Sequence, residues 1–454
     1  MTASVVDLLR EALGDRIDTT EATLETFRAD KSGHAADGRA LAVVHAESIE
    51  DVQVALRIAH ATGTPVVPRG AGTGLAGGAN VGTGRIALSL ARMNRILEIR
   101  PDDLLAVVEP GIINADLNAE LAGHGVWWAP DPASRAISTV GGNIATGAGG
   151  LLCAKYGVVR DAVLGVDVVL ADGELVRLGH RSVKGVTGLD LTSLMIGSEG
   201  TLGVVVGATL KLRRLVAGQT RTLTASFSDV RAAAAGAAAV TASGVQPAVM
   251  ELMDAASLAA VHALLSLPAP TGGESLLTVQ TDGPTAAEDA ALIAQRLEHA
   301  GGRVRVAAHE TEGEALLQMR RSLHPAMERL GTTLIEDVSV PRSALPAMFD
   351  EIVRIERDYG LTIPTVAHAG DGNLHPNFVF QGPQVPDVVW RAADDLFRSA
   401  LRLGGTLTGE HGIGVLKRRW LRDELGARQW QLQRDIKRVF DPTGILNPGV
   451  VFAD

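Results

Sequence analysis

Residues 65–80, Pro65-Val-Val-Pro-Arg-Gly-Ala-Gly-Thr-Gly-Leu-Ala-Gly-Gly-Ala-Asn80, carry glycines at 70, 72, 74, 77 and 78. Glycine at this density destabilises the interior of a helix or strand. It suits a loop that turns sharply and offers bare backbone N–H groups, whose commonest partner is a phosphate. Arg69 can add a charge-assisted hydrogen bond. The apolar run Thr64–Pro68 reads as a buried strand feeding the loop. The alternative is a surface loop without a ligand. Gly72, Gly74 and Gly77 also fit G-x-G-x-x-G, but that fingerprint needs a helix directly after the glycines. Here Gly78, Gly82 and Gly84 follow, and Arg85–Leu90 reads as a strand. The Rossmann reading is therefore rejected and the phosphate reading kept.

A chain of 454 residues exceeds one ordinary core, so two or three domains are expected. The net charge of −10 argues against a nucleic-acid or anionic-membrane surface. The single cysteine, Cys153, excludes internal disulfides and cysteine-based zinc or iron–sulfur sites. No signal peptide opens the sequence and no apolar run is long enough to span a bilayer. The expected location is the cytoplasm, or the cytoplasmic face of a membrane.

Residues 3–15 and 48–62 have helical apolar spacing, the second with Ser48 as cap and Gly63 as stop. Short strands are expected at 43–44, 66–67, 86–90, 96–99 and 106–109, with a hairpin formed by 163–170 and 175–178. This is an α+β pattern. A second stretch rich in small residues, 130–150, has glycines at 141, 142, 147, 149 and 150, which suggests a large ligand with several polar sections. Strand 204–212 follows. Beyond Arg213, helices at 230–242, 285–300, 314–330 and 345–359 alternate with strands at 278–281 and 303–307, as in a separate α/β lid.

His368 and His375 flank a Gly-Asp-Gly-Asn turn, which predicts a hairpin with the two imidazoles near its mouth. Glu410 and His411 sit in a glycine-flanked loop. Two histidines and a carboxylate can hold zinc, iron or manganese, and the remaining histidine can act as a base. Ordinary hydrogen-bonded loop histidines are the competing explanation.

Several stretches together resemble a known family. Pro68-Arg-Gly-Ala-Gly-Thr-Gly-Leu-Ala-Gly-Gly78 is similar to the FAD-pyrophosphate loop of the vanillyl-alcohol oxidase / p-cresol methylhydroxylase flavoproteins. Thr139–Thr146, Lys155–Asp161, Val186–Thr192, Gly197–Gly203, His368–His375, Gly409–Gly414 and Phe440–Gly449 resemble one branch of it. That branch holds glycolate oxidase catalytic subunits, D-lactate dehydrogenases and D-2-hydroxyglutarate dehydrogenases. The matches run in the family's order from about Phe27 onward. Ala76 and Gly147 stand where relatives often have Ser and Asn, and neither change removes a backbone donor.

The resemblance implies a two-part FAD-binding domain of the p-cresol methylhydroxylase type, residues 1–213, completed by a C-terminal segment, 420–454. A cap, 214–419, would lie between them in sequence. FAD contacts are implied from Pro68, Arg69, Gly70, Ala71, Gly72, Thr73, Gly74 and Leu75. A second group is Pro130, Asp131, Ser134, Thr139, Gly142, Asn143, Ala145, Thr146 and Gly149. Tyr156, Gly157, Glu199, Gly200, Val204, Val205 and Asn447 complete the set. His368, His375 and Glu410 would bind the metal and His411 would be the base. Arg320 would bind the substrate carboxylate, with Asn377 also touching substrate. No histidine lies in 69–80, so FAD is expected to be non-covalent; attachment at Cys153 is the weak alternative.

The implied activity is oxidation of a small D-2-hydroxy acid, D-lactate or glycolate, to the 2-oxo acid. Alternatives are D-2-hydroxyglutarate as substrate, a non-redox flavin transferase like alkyl-dihydroxyacetone-phosphate synthase, or a silent flavin subunit of a larger oxidase. Ile335 stands where the 2-hydroxyglutarate branch has a lysine for the distal carboxylate, with Glu336 beside it; Lys417 or Arg418 is a possible substitute. The electron acceptor would be a quinone, a cytochrome or an electron-transfer protein. A homodimer or partner subunit is compatible with the sequence, and nucleic acid is not expected.

Overall fold

The computed structural model describes residues 3–452. The chain forms two compact units. One comprises Met1–Gly149, Gly157–Leu215 and Glu410–Asp454; the other comprises Gly150–Tyr156 and Val216–Gly409. Both mix helix and sheet.

In the first unit, strands Ala42–His45, Ile86–Ser89 and Val66–Arg69 lie parallel in that spatial order, with Ile17–Asp18 antiparallel at the edge. The helix Ile49–Thr62 makes the crossover. Ser48 and Asp51 form its capping box, and Gly63 closes it at φ +65°. Its apolar face, with Val52, Ala55, Leu56 and Ala59, packs against Val44, Val66 and Leu88 of the sheet. The glycine-rich loop therefore leaves the carboxyl end of a buried parallel strand, where open α/β sheets bind ligands. A five-stranded antiparallel sheet completes the unit, in the order Ile96–Arg100, Leu105–Val108, Val204–Lys211, Val163–Val169, Leu175–Gly179. Its core holds the buried Trp128, whose indole N–H donates to the Ala162 carbonyl at 2.9 Å.

The small-residue stretch 130–150 is not all loop. Val140–Thr146 is a helix capped by the Thr139 hydroxyl and stopped by Gly147 at φ +66°. Val140 and Ile144, one turn apart, are buried in the core and anchor it.

Strand Val66–Arg69 is also gripped from the far end of the chain. The Val66 N–H donates to the Ile445 carbonyl and the Asn447 N–H to the Val66 carbonyl, each at 2.8 Å. Loop 410–416 joins this unit as well, for Val415 N donates to the Ala76 carbonyl at 2.9 Å. A Cβ on Gly414 would stand 1.9 Å from that same oxygen, at φ +53°. Gly414→Ala is expected to cost about 2–4 kcal/mol and to lower Tm by several degrees in a thermal melt. An unchanged Tm would mean that the loop relaxes freely.

The second unit is built on one antiparallel sheet. Its strand order is Arg303–Val306, Gln219–Phe227, Ser275–Gly283, Val249–Met253, Thr365–His368, Asn373–Phe380, Thr332–Ile335, and Val338–Ser339 also pairs with Asn373–Phe380. Gln219–Phe227, Val249–Met253 and Thr332–Ile335 are not evident from the sequence pattern. The expected helix 314–330 is two helices, Glu310–Arg321 and Leu323–Leu330. Pro325 explains the break, because its ring would clash with the Arg321 carbonyl in a continuous helix.

Residues 150–156 group with this unit, and 410–419 with the first, unlike the sequence-based limits of 214–419. The reason is local bonding. Lys155 Nζ and the Tyr156 hydroxyl both bond Asp282, and Gln246 Nε2 donates to the Ala154 carbonyl at 2.7 Å. Among the described residues no helix is long and apolar enough to cross a membrane.

Candidate active site

The histidine hairpin is formed by Thr365–His368 and Asn373–Phe380, with Val366 opposite His375 and His368 opposite Asn373. Residues 366 and 368 share a face, so the two histidines are diagonal neighbours across the pair. Their rings are 5.0 Å apart and nearly perpendicular. Both are buried. Asp337, itself fully buried, accepts from Asn373 Nδ2 at 2.5 Å and from the Gly409 N–H at 3.0 Å. It thereby ties the peptide before Glu410 to the hairpin. One donor atom each from His368, His375 and Glu410 lies within 4.8 Å of the other two. Metal–ligand bonds of roughly 2.0–2.2 Å let a single ion bridge such a set after small adjustment, and an N₂O donor set suits zinc, iron or manganese. The residues fit a divalent cation.

His411 is mostly buried, with Nε2 3.8 Å from Glu410 Oε1. His324, the other candidate base, is exposed on its helix beside Glu328. Arg320 lies in the last turn of the helix Glu310–Arg321, and its Nε donates to Glu251 at 2.7 Å. Asn377 is buried, but its Nδ2 donates to the carbonyls of Pro364 and His375. These two bonds fix the strand that follows the histidine turn.

The cofactor-binding expectations divide. Three glycine-bearing segments of the first unit converge on the end of strand Val66–Arg69. A Cβ on Gly70 would meet Thr139 Oγ1 at 2.2 Å, and one on Gly200 would meet Pro68 Cγ at 2.5 Å. The Ser138 hydroxyl, beside Thr139, and Oδ1 of Asn447, on the C-terminal segment that grips strand Val66–Arg69, are buried with no protein partner. Such groups cost about 1–3 kcal/mol each unless something satisfies them. A close-walled cradle of bare backbone with unmet polar atoms fits a flavin dinucleotide.

Other side chains in the expected set face elsewhere. The Arg69 guanidinium donates to the carbonyls of Thr26, Phe27, Ala29 and Ala79 at 2.9–3.2 Å and lies over the Phe27 ring. It shapes the loop and does not serve a phosphate. The Thr146 hydroxyl donates to the Gly142 carbonyl within its own helix, and Asn143 Oδ1 accepts from Asn114 Nδ2 at 3.3 Å. Tyr156 belongs to the second unit, where Asp282 takes its hydroxyl. The Glu199 carboxylate accepts from the Ile413 N–H at 2.7 Å and the Gly414 N–H at 2.9 Å, mooring the loop that bears His411. Burial pushes its carboxyl up to about 7, against the pull of those two amides and Lys417.

Two residues outside the expected set stand out. Glu251 and Asp337 are both fully buried carboxylates, placed against the histidines and against the Gly409 peptide. Glu251 interrupts the apolar run Val249–Met253, and that lone acid is the clue that periodicity passes over.

Comparison with known proteins identifies the family to which the chain belongs. The family described as "FAD binding domain" matches residues 40–179, and "FAD linked oxidases, C-terminal domain" matches 218–451. The glycolate oxidase subunit GlcD of Bacillus subtilis (strain 168) is 39% identical over 91% of this chain and 89% of its own. A D-lactate dehydrogenase of Archaeoglobus fulgidus is 33% identical over 90% of each chain. Among solved structures, p-cresol methylhydroxylase with substrate bound superposes with a TM-score of 0.82 at 17% identity, over 99% of this chain and 96% of that one. An alkyldihydroxyacetonephosphate synthase gives 0.75 at 19% identity, over 98% and 85%. At these identities the structures establish the shared fold alone.

Proposed function

The chain belongs to the FAD-linked oxidases, and from that premise we propose that it oxidises D-lactate or glycolate to the 2-oxo acid with a divalent cation at His368, His375 and Glu410. The observation that carries the site is the close approach of those three donors, with His411 next in sequence. When bound, FAD takes up the hydride from the substrate Cα, and the cation makes the substrate hydroxyl more acidic.

The remaining work falls to the chain. The glycine segments around Gly70, Thr139 and Gly200 hold the flavin, without a covalent bond. Arg320 pairs with the substrate carboxylate through the guanidinium nitrogens other than Nε. His411 accepts the hydroxyl proton at Nε2, the nitrogen nearer Glu410. A C–H bond beside a carboxylate is a poor hydride donor until that proton leaves, so the base and the arginine must act on the same molecule. The non-redox transferase chemistry of the synthase gains nothing from the structural likeness, which is one of fold.

Substrate size follows from the second unit. Ile335 pairs across the sheet with Asn377 and offers no charge, and the next two residues, Glu336 and Asp337, are buried acids. Arg418 is bonded to the Gly449 carbonyl, and buried Lys417 acts on Glu199. A second substrate carboxylate would be left unpaired, at a cost of several kcal/mol. We expect D-lactate or glycolate to bleach the flavin anaerobically, with kcat/KM above that for D-2-hydroxyglutarate by on the order of 10²-fold. A preference for the dicarboxylate would overturn the assignment. Acid precipitation of the same yellow protein should leave its flavin in the supernatant.

A further inference from the structure

Glu251 occupies the centre of strand Val249–Met253, directly opposite His368 in the neighbouring strand. Cross-strand partners project to the same face, so the register alone brings carboxylate and imidazole together. Glu251 Oε1 lies 2.6 Å from His368 Nδ1, and Oε2 accepts from Arg320 Nε at 2.7 Å. The Glu251 side chain is 1% exposed, His368 8% and Arg320 12%. A carboxylate so deeply buried is tolerated only with charged partners.

We propose that Glu251 is a positioning residue that sets His368 for the metal and Arg320 for the substrate carboxylate, so that the two binding events are coupled through one buried side chain. The proposal rests on the function assigned above. Glu251 Oε1 accepts at His368 Nδ1, so that nitrogen carries the proton and the metal-binding lone pair falls on Nε2. A carboxylate behind a ligating histidine fixes its tautomer and ring orientation and raises its basicity. The second oxygen takes Arg320 by Nε, which turns the outer edge of the guanidinium fork away from Glu251. One rigid carboxylate with both oxygens engaged therefore fixes two groups that lie 48 residues apart in sequence, at 320 and 368. All three residues belong to the second unit.

Glu251→Gln is nearly isosteric but can accept through one atom only, so either His368 or Arg320 meets an N–H instead of an oxygen. The test is made on FAD-loaded full-length protein. Zinc affinity is measured by competition with a chromogenic chelator in the absence of substrate, and KM and kcat for D-lactate and glycolate are measured separately. The expected result is zinc affinity weakened by roughly 10–100-fold, a raised KM and an unchanged FAD content. Glu251→Asp keeps the charge but withdraws it by one methylene, so it cannot reach both partners; it should show the same two losses and decides the matter if the Gln variant does not fold. Zinc binding and KM unchanged in the folded variant would overturn the proposal. Weakened zinc binding with unchanged KM would overturn the coupling. If the unmodified protein itself binds no zinc, iron or manganese, it is the metal assignment that falls.

Discussion

Prolonged chelation is expected to abolish turnover with hydroxy acid while FAD stays bound, and adding back a divalent ion is expected to restore it. His368 and His375 are buried and Glu410 partly so, so removal of an ion held there would be slow. A Lewis-acidic cation is worth several kcal/mol of charge stabilisation, on the order of 10³-fold in rate. FAD is retained because the segments assigned to it, around Gly70, Thr139 and Gly200, contain none of His368, His375 or Glu410. Metal analysis, flavin absorbance and dye-linked turnover on one sample check all three statements. Full activity in rigorously metal-free protein would refute the metal's role.

His411→Ala is expected to lower the rate of flavin reduction by a factor on the order of 10² or more, again with FAD in place. His411 adjoins Glu410, and its Nε2 is 3.8 Å from that carboxylate. Removing it leaves water or a weaker base to take the hydroxyl proton. Stopped-flow reduction under anaerobic conditions isolates this step from reoxidation. A near-normal rate would move the base elsewhere; His324, on an exposed helix face, is a poor substitute.

The parts legible in the sequence were those with local chemistry. Ser48, Asp51 and Gly63 mark their helix because caps act within one turn. The histidine hairpin declares itself through its turn residues and its two flanking imidazoles. Long-range pairing was not legible. Glu251 looks like a stray acid in an apolar run until register sets it opposite His368. Arg69 beside a glycine loop suggests a phosphate ligand, yet three carbonyls from residues 26–29 and one from the loop's own far end, Ala79, claim its guanidinium. The glycine pattern marks a ligand cradle, but which polar side chains face inward depends on contacts between segments more than 50 residues apart, such as Gly70 with Thr139.

The grip of residues 445–447 on strand Val66–Arg69 bears on how the protein is made. The first unit is interrupted by the whole of 216–409, and its glycine-rich loop leaves a strand whose backbone is completed by Ile445 and Asn447. Asn447 Nδ2 also donates to the carbonyls of Gly78 and Glu199, linking two of the cofactor segments. A growing chain emerges N-terminus first, and domains fold as units when their residues are available. Nearly all of the second unit is one continuous stretch, so it can assemble while synthesis is still under way. The end of strand Val66–Arg69 is completed only when residue 447 has been made, so any cradle built there forms late in the life of each molecule.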